Sequence, residues 1–163
     1  QAERLQQDAL LDVECDIWIP AARPDVLRED NAGRLRTRLV LQGANIPFTP
    51  AAERILAARG VLVIPDFVAN AGGVICAAME YHGATRSAAF DAIADKIRAN
   101  TAAVIESAAA QKILPREAAV ALALEGVRKA MKLRRWSADL ERAKPYRASI
   151  EHRRASAHQR SSK

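Results

Sequence analysis

The stretch that decides the fold runs from Val61 to Tyr81 and reads VLVIPDFVANAGGVICAAMEY. It begins with four consecutive apolar residues, three of them β-branched, and such a run predicts a strand buried on both faces of a parallel sheet. Pro65 ends the strand because it cannot donate a ladder hydrogen bond. A short loop is expected next, and then Asn70 as the N-cap of a helix that carries Gly72 and Gly73 in its first turn.

These two glycines have two competing explanations. Each glycine lowers the stability of the helix by roughly 1 kcal/mol. This cost is tolerable where a ligand approaches the backbone closely. A strand end that leads into a glycine-lined helix N-terminus is where open α/β sheets bind ligands. The alternative is a tight crossing of helix and sheet that requires small residues. The spacing alone leaves both open.

Apolar runs and punctuation elsewhere predict short strands that alternate with helices. Thr49 and Pro50 mark the start of one helix, and Gly60 marks its end. The predicted strands are 15–19, 38–42 and 61–64, and the other predicted helices are 1–11, 87–110 and 115–135. With no hairpin signal, this alternation indicates an α/β fold with a parallel sheet of about three strands, flanked by helices, with long C-terminal helices.

Composition is that of an ordinary globular chain. The 163 residues are 27% charged, and no apolar run approaches the ~20 residues of a membrane span. The first ten residues include Glu3, Arg4 and Asp8, which argues against a signal peptide. Cys15 and Cys76 are expected to be buried thiols in a reducing cytoplasm rather than a disulfide. The two cysteines and three histidines form no metal-ligand spacing, so no metal is predicted.

The basic charge is concentrated at the C-terminus. Residues 137–163 contain seven Lys/Arg and three Asp/Glu, which accounts for most of the net charge of +6. This segment lacks periodicity and is predicted to be a disordered tail, separate from a domain of residues 1–136. Such a tail is able to contact nucleic acid through phosphates, but a solvated extension is the favoured interpretation, and no nucleic-acid partner is predicted.

Small residues and amides follow all three predicted strands. The three segments are Pro20-Ala21-Ala22, Gly43-Ala44-Asn45 and Asn70-Ala71-Gly72-Gly73. If the strands are parallel, these segments meet at one edge of the sheet. Asn45 and Asn70 are then expected to converge on a ligand, and a donor and acceptor on each amide suit a carboxamide such as that of nicotinamide. Ordinary turn chemistry is the alternative for either asparagine.

The runs CDIWIPAA and LVLQGANIPFTPAAERILAARGVLVIPDFVANAGGV closely resemble the C-terminal part of the Glu/Leu/Phe/Val amino-acid dehydrogenases. The resemblance extends from about Asp12 to Trp136. It implies a partial Rossmann-like sheet and an enzyme that oxidatively deaminates a small-molecule amino acid to a 2-oxo acid and ammonia by hydride transfer to NAD or NADP. It also implies a parent enzyme that is a homo-oligomer, with no membrane partner.

The resemblance assigns cofactor contacts to seven residues at the three strand ends: Ala21, Ala22, Ala44, Asn45, Asn70, Gly72 and Gly73. The first two would line the nicotinamide side, and the middle two would contact the nicotinamide riboside and the amino-acid end of the substrate. The last three would form the floor beneath the nicotinamide.

Some elements of the family pattern do not occur in this sequence. The seven glycines form no G-x-G-x-x-G turn, and no lysine precedes Lys96, so neither the family's pyrophosphate turn nor its catalytic lysine and aspartate is assigned. No catalytic residue is therefore predicted, and the chain by itself is expected to be inactive. The alternative is a noncatalytic module that binds a nucleotide or mediates assembly.

Asn45, Asn70 and Ala77 are the predicted substrate contacts. Members of the family that prefer glutamate carry a serine seven residues after the Asn that corresponds to Asn70, and this chain has Ala77 there. If Asn70 lies in the same helix, Ala77 shares its face. A methyl group cannot pair with a buried carboxylate, so an apolar amino acid is the predicted substrate, with glutamate as the alternative. Asp66, just beyond the strand, is assigned no role.

Overall fold

The computed structural model describes residues 7–132, and its sheet has three parallel strands. These are β1 (Ile17–Trp18), β2 (Leu39–Leu41) and β3 (Leu62–Ile64), in the order β1-β2-β3. Ile17 pairs with Leu39, and Leu39 pairs in turn with Leu62. The α/β fold with a three-stranded parallel sheet is therefore confirmed, although each strand is shorter than the apolar run that predicted it.

Five α-helices accompany the sheet in the described residues: α1 (Pro50–Ala58), α2 (Asp66–Ala69), α3 (Gly72–Tyr81), α4 (Arg86–Gln111) and α5 (Pro115–Lys132). Two short 3₁₀ helices cover Gln7–Asp12 and Ala32–Arg34. Of the predicted helix over residues 1–11, the structure describes the part from Gln7, which is helical but of the 3₁₀ type. The loop predicted between Asp66 and Ala69 is wrong, since these residues form α2.

Helix α1 begins and ends as its capping residues predict. Thr49 Oγ1 accepts a hydrogen bond from the Ala52 N–H at 3.2 Å, and Pro50 occupies the first helical position. Gly60 follows the helix with φ +76°, in the left-handed region where a Cβ is unfavourable. The helix thereby turns back into β3.

The sheet separates two apolar clusters, one on each face. The first cluster contains Val40 and Val63 of the sheet and Leu56 of α1. The second contains Ile64 of β3, Val104 of α4 and Ala118 of α5. The prediction that residues 61–64 are buried on both faces fails at Leu62, which is 36% exposed. Helices α4 and α5 cover Ile64, at the carboxyl end of the strand, and leave Leu62 partly open.

The described chain divides into two compact units. Residues up to Ala123 form the first unit, and those from Leu124 form the second, of which α5 supplies the described part. The predicted boundary between 136 and 137 and the basic tail lie outside the described residues. Cys15 and Cys76 are free, half-buried thiols. Within residues 7–132, no helix has both the length and the apolar character of a membrane span.

We expect Gly60→Ala to lower the free energy of unfolding by about 1–2 kcal/mol, because alanine pays for the left-handed conformation that glycine adopts freely. Urea denaturation measures the difference. The matched control is Gly33→Ala, at a position with no positive φ and open space around the added Cβ. Equal losses in the two variants would contradict the role of Gly60 as the helix stop.

Candidate functional site

The three segments that follow the strands meet at the carboxyl edge of the sheet. The Ala44 N–H donates to the Pro20 carbonyl oxygen at 2.8 Å, which ties the segment after β2 to the segment after β1. A Cβ on Gly43 would lie 3.2 Å from the Ala21 Cβ, closer than side chains normally pack. Glycine at 43 therefore permits the two segments to approach.

Asn45 and Asn70 are hydrogen-bonded to each other, and we call them the amide pair. Asn70 Nδ2 donates to Asn45 Oδ1 at 2.8 Å and lies 3.4 Å from the Gly43 carbonyl oxygen. Among residues 7–132, Asn45 Nδ2 and Asn70 Oδ1 have no hydrogen-bond partner. The pair thus presents one amide donor and one carbonyl acceptor side by side.

Asn70 reaches this position in a way that differs from the prediction. It is the C-cap of α2, with φ −101° and ψ 11°, and its backbone N–H donates to the Asp66 carbonyl at 2.8 Å. The prediction that Asn70 is a helix N-cap is therefore wrong, and Ala71 occupies the residue before α3. The physical reason is that Pro65 starts one helical turn at Asp66, which leaves the Asn70 side chain free to cross to the segment after β2.

Gly72 and Gly73 open α3 without being required by packing in the described part of the chain. A Cβ on Gly72 would lie 3.5 Å from Ile93 Cγ2, an ordinary contact, and a Cβ on Gly73 would meet nothing within 4 Å. Helix α3 packs along α4 and has no buried residues. A tight helix–sheet crossing therefore does not explain these glycines.

The remaining predicted site residues are exposed. Ala21 and Ala22 line a cavity of about 330 Å³ beside Trp18 and Arg23. Ala77 lies in the middle of α3, on the exposed part of its surface. Asn70 lies outside α3, so the single-helix premise for placing Ala77 on its face fails, and the predicted role of Ala77 stays a prediction.

A buried polar cluster lies beside the amide pair, and we call it the Arg116 cluster. It consists of Gln42 after β2, Glu53 of α1, Asp66 of α2 and Arg116 of α5, and the first three are at most 6% exposed. Arg116 Nε lies 2.8 and 2.9 Å from the two carboxylate oxygens of Glu53. Arg116 Nη2 donates to Gln42 Oε1 at 2.7 Å and lies 3.1 Å from Asp66 Oδ1.

Gln42 ties the remaining members of the Arg116 cluster together. Its Nε2 donates to Glu53 Oε1 at 2.8 Å, and its Oε1 accepts the backbone N–H of Asp66 at 3.1 Å. Burying charged groups is tolerable only when they are paired and hydrogen-bonded. The cluster meets this requirement by sharing one guanidinium between two carboxylates.

Asp66 connects the Arg116 cluster to the amide pair. Its Oδ2 accepts the Ile46 backbone N–H at 2.8 Å, and Ile46 follows Asn45 directly. Burial raises the pKa of Asp66, but the Ile46 amide, Arg116 and the Phe67 amide together outweigh it and hold the pKa below its ordinary value. Asp66 therefore remains ionised and able to accept from Ile46.

Local sequence patterns do not reveal the Arg116 cluster, because its members belong to four segments far apart in sequence. Gln42 and Arg116 are 74 residues apart. One signal was available: Gln42 and Asp66 each directly follow an apolar run, and a polar residue next to such a run is a candidate for burial. That signal does not reveal the partners.

Small residues and paired amides at the carboxyl ends of parallel strands make the chain an α/β protein of the class that binds ligands at this edge of the sheet. The profile of the Glutamate/Leucine/Phenylalanine/Valine dehydrogenase family matches residues 1–135. The chain belongs to this family, as its sequence predicts.

Individual relatives agree with this assignment. The chain is 41% identical over 138 residues to the NADP(+)-dependent glutamate dehydrogenase of Pyrobaculum calidifontis, covering 79% of this chain. It is 36% identical over 146 residues to the glutamate dehydrogenase of Aeropyrum pernix, covering 83% of this chain. The chain spans 32% and 35% of these two relatives, about a third of their length.

Solved structures give the same fold. The L-tryptophan dehydrogenase of Nostoc punctiforme superposes with a TM-score of 0.70 at 26% identity, over 77% of this chain and 38% of that one. The leucine-bound hetero-hexameric glutamate dehydrogenase of Thermus thermophilus gives 0.66 at 26% identity, over 79% and 32%.

We expect Asp66→Asn to lower the free energy of unfolding by about 1–3 kcal/mol near pH 7, because a charge-assisted hydrogen bond and an ion pair are lost. A depressed folded-state pKa contributes stability above the unfolded pKa, near 3.8, and loses it as the pH falls through the folded pKa. The difference between wild type and variant should therefore be full above about pH 5 and shrink below the unfolded pKa.

Denaturant titrations at pH 7 and at pH 3 measure this difference. Asp91→Asn, on the exposed surface of α4, is the control for removing one carboxylate and should stay within about 0.5 kcal/mol of wild type at both pH values. An Asp66→Asn deficit that is the same at both would contradict the ionised, paired state of Asp66.

Proposed function

We propose that this chain is part of an NAD(P)-dependent oxidoreductase that oxidatively deaminates an L-amino acid to a 2-oxo acid and ammonia. The observation that carries the proposal is the amide pair of Asn45 and Asn70 at the carboxyl edge of the sheet. Residues 1–136 would form the C-terminal half of its dinucleotide-binding domain. Relatives named as NADP-specific and NAD-specific enzymes support NAD or NADP as the cofactor.

The amide pair suits the nicotinamide carboxamide, which carries one donor group and one acceptor. Asn45 Nδ2 offers a donor to the carboxamide oxygen, and Asn70 Oδ1 offers an acceptor to the carboxamide NH₂ group. Ala21, Ala22, Ala44, Gly72 and Gly73 would surround the cofactor, and their small size leaves room for a planar ring. The space beside Gly73 is open.

The bound cofactor would accept the hydride, and this chain's residues would hold and orient it. No catalytic acid or base is assigned to the 163 residues, because no lysine precedes Lys96. No G-x-G-x-x-G turn occurs either, so no residues are assigned to the pyrophosphate of the cofactor. We therefore propose that the chain by itself produces no NADH or NADPH.

The proposed substrate is an amino acid with an apolar side chain, with Asn45 and Asn70 at its amino-acid end and Ala77 facing its side chain. A methyl group at 77 offers no hydrogen bond to a carboxylate. One solved relative is described as a hetero-hexameric glutamate dehydrogenase in a leucine-bound form. We propose that the enzyme containing this chain is also an oligomer, but one built of identical subunits.

Nicotinamide mononucleotide should bind the 163-residue chain and shift the side-chain amide NMR signals of Asn45 and Asn70. We expect Asn70→Ala to raise the dissociation constant about tenfold, because the pair loses both its acceptor and the hydrogen bond that orients Asn45. Asn100→Ala, an exposed asparagine of α4, is the matched control and should leave the affinity unchanged. Equal weakening in both variants, or no shift at either amide, would count against the proposal.

Activity should appear when the segment is placed in a complete enzyme. In a chimaera, residues 12–136 replace the matching segment of the Pyrobaculum calidifontis glutamate dehydrogenase, and amino-acid-dependent NADPH formation is followed spectrophotometrically. We expect turnover with leucine, and we expect Ala77→Ser to raise kcat/KM for glutamate relative to leucine by about tenfold, through one new hydrogen bond to the carboxylate.

Three other results would change the assignment. A folded chimaera without turnover on any amino acid would favour a noncatalytic module. A glutamate preference that Ala77→Ser leaves unchanged would remove Ala77 from the substrate site. Formation of NADH or NADPH by the 163-residue chain alone would show that it contains its own catalytic groups.

A further inference from the structure

The backbone next to the amide pair is strained at Ile46. Ile46 has φ +49°, and this left-handed conformation is unfavourable for a β-branched residue. Its side chain is 64% exposed, so burial of the side chain does not offset the strain. The segment keeps this conformation through its backbone hydrogen bonds.

Two hydrogen bonds hold Ile46. Its carbonyl oxygen accepts from the Asp25 N–H at 3.0 Å, and its N–H donates to Asp66 Oδ2 at 2.8 Å. The second bond is charge-assisted and therefore the stronger of the two. The position of the Asp66 carboxylate thus governs the conformation at Ile46.

Arg116 in turn holds the Asp66 carboxylate. Its Nη2 lies 3.1 Å from Asp66 Oδ1 and 2.7 Å from Gln42 Oε1, the atom that also accepts the Asp66 N–H. Glu53 aligns the guanidinium through contacts of 2.8 and 2.9 Å, and the Phe67 ring covers it at 5.6 Å. The Arg116 guanidinium is therefore held by contacts on several sides.

Removing Arg116 would leave Glu53 and Asp66 as buried carboxylates without a cation. Asp66 Oδ1 has no hydrogen bond of good geometry, and Arg116 is its ionic partner. A buried carboxylate that loses its cation either turns toward water or takes up a proton. Either change removes or weakens the bond to Ile46.

We infer that Arg116 is a positioning residue for the amide pair: it holds Asp66, Asp66 fixes the left-handed Ile46, and Ile46 places Asn45 against Asn70. Any consequence of Arg116 for ligand binding rests on the proposed function, whereas its role in positioning Ile46 and Asn45 does not.

The test is backbone amide hydrogen exchange and NMR of the ¹⁵N-labelled 163-residue chain carrying Arg116→Gln. We expect Ile46 exchange to accelerate by at least about tenfold, because its charged acceptor is no longer anchored. Leu62, whose N–H donates to the Arg38 carbonyl at the other end of the sheet, should change less than about twofold. The contact between the side chains of Asn70 and Asn45 should disappear from the NOE spectrum.

Arg59→Gln is the matched control. The Arg59 guanidinium also donates hydrogen bonds, to the backbone carbonyls of Ala32 and Leu35, and Arg59 lies near the amino end of β3. Its loss should leave the Ile46 exchange rate and the contact between Asn45 and Asn70 unchanged. If Ile46 and Leu62 accelerate equally in Arg116→Gln, or if Ile46 accelerates equally in both variants, Arg116 has only a general structural role and the inference is wrong.

Arg116→Lys carries the same test if Arg116→Gln does not fold. Lysine keeps the charge but cannot contact Glu53, Gln42 and Asp66 together, so a selective acceleration at Ile46 is again expected, and an unchanged Ile46 would overturn the inference. A wild-type chain that binds no nicotinamide mononucleotide would defeat the proposed function and leave the exchange result untouched.

Discussion

The shared guanidinium of Arg116 is the interaction on which the arrangement of the site depends. It joins residues that follow β2, lie in α1, begin α2 and begin α5, so four elements have to be in register before the cluster closes. Buried ion pairs contribute little net stability relative to apolar packing of the same volume. Their value here is geometric, because a misplaced element would leave a buried carboxylate without its cation.

Local sequence signals predict those parts of the fold that depend on one or two neighbouring residues. Thr49, Pro50 and Gly60 determine α1 because capping and left-handed backbone are properties of one or two residues. The order of the strands follows from their alternation with helices, and parallel strands bring their carboxyl ends together. For this reason the meeting of Asn45 and Asn70 was predictable without coordinates.

Other features depend on contacts that no local pattern contains. Asn70 has the composition of an N-cap, but Pro65 and Asp66 close one helical turn first and convert it to a C-cap. Leu62 belongs to an apolar run, yet the helices that would cover it extend only over Ile64. The pairing of Arg116 with Asp66 depends on the tertiary approach of α5, and the left-handed Ile46 depends in turn on Asp66.

The bond within the amide pair also limits how a ligand can bind. Because Asn70 donates and Asn45 accepts, the remaining donor belongs to Asn45 and the remaining acceptor to Asn70. Reversing this order requires both amides to turn, and the Asn70 amide would then direct an oxygen instead of a donor toward the Gly43 carbonyl. Two carbonyl oxygens facing each other repel, so the Gly43 carbonyl, in the segment after β2, favours the observed order. A carboxamide that meets the pair therefore has one favourable orientation, which is what stereospecific hydride transfer requires of a nicotinamide ring.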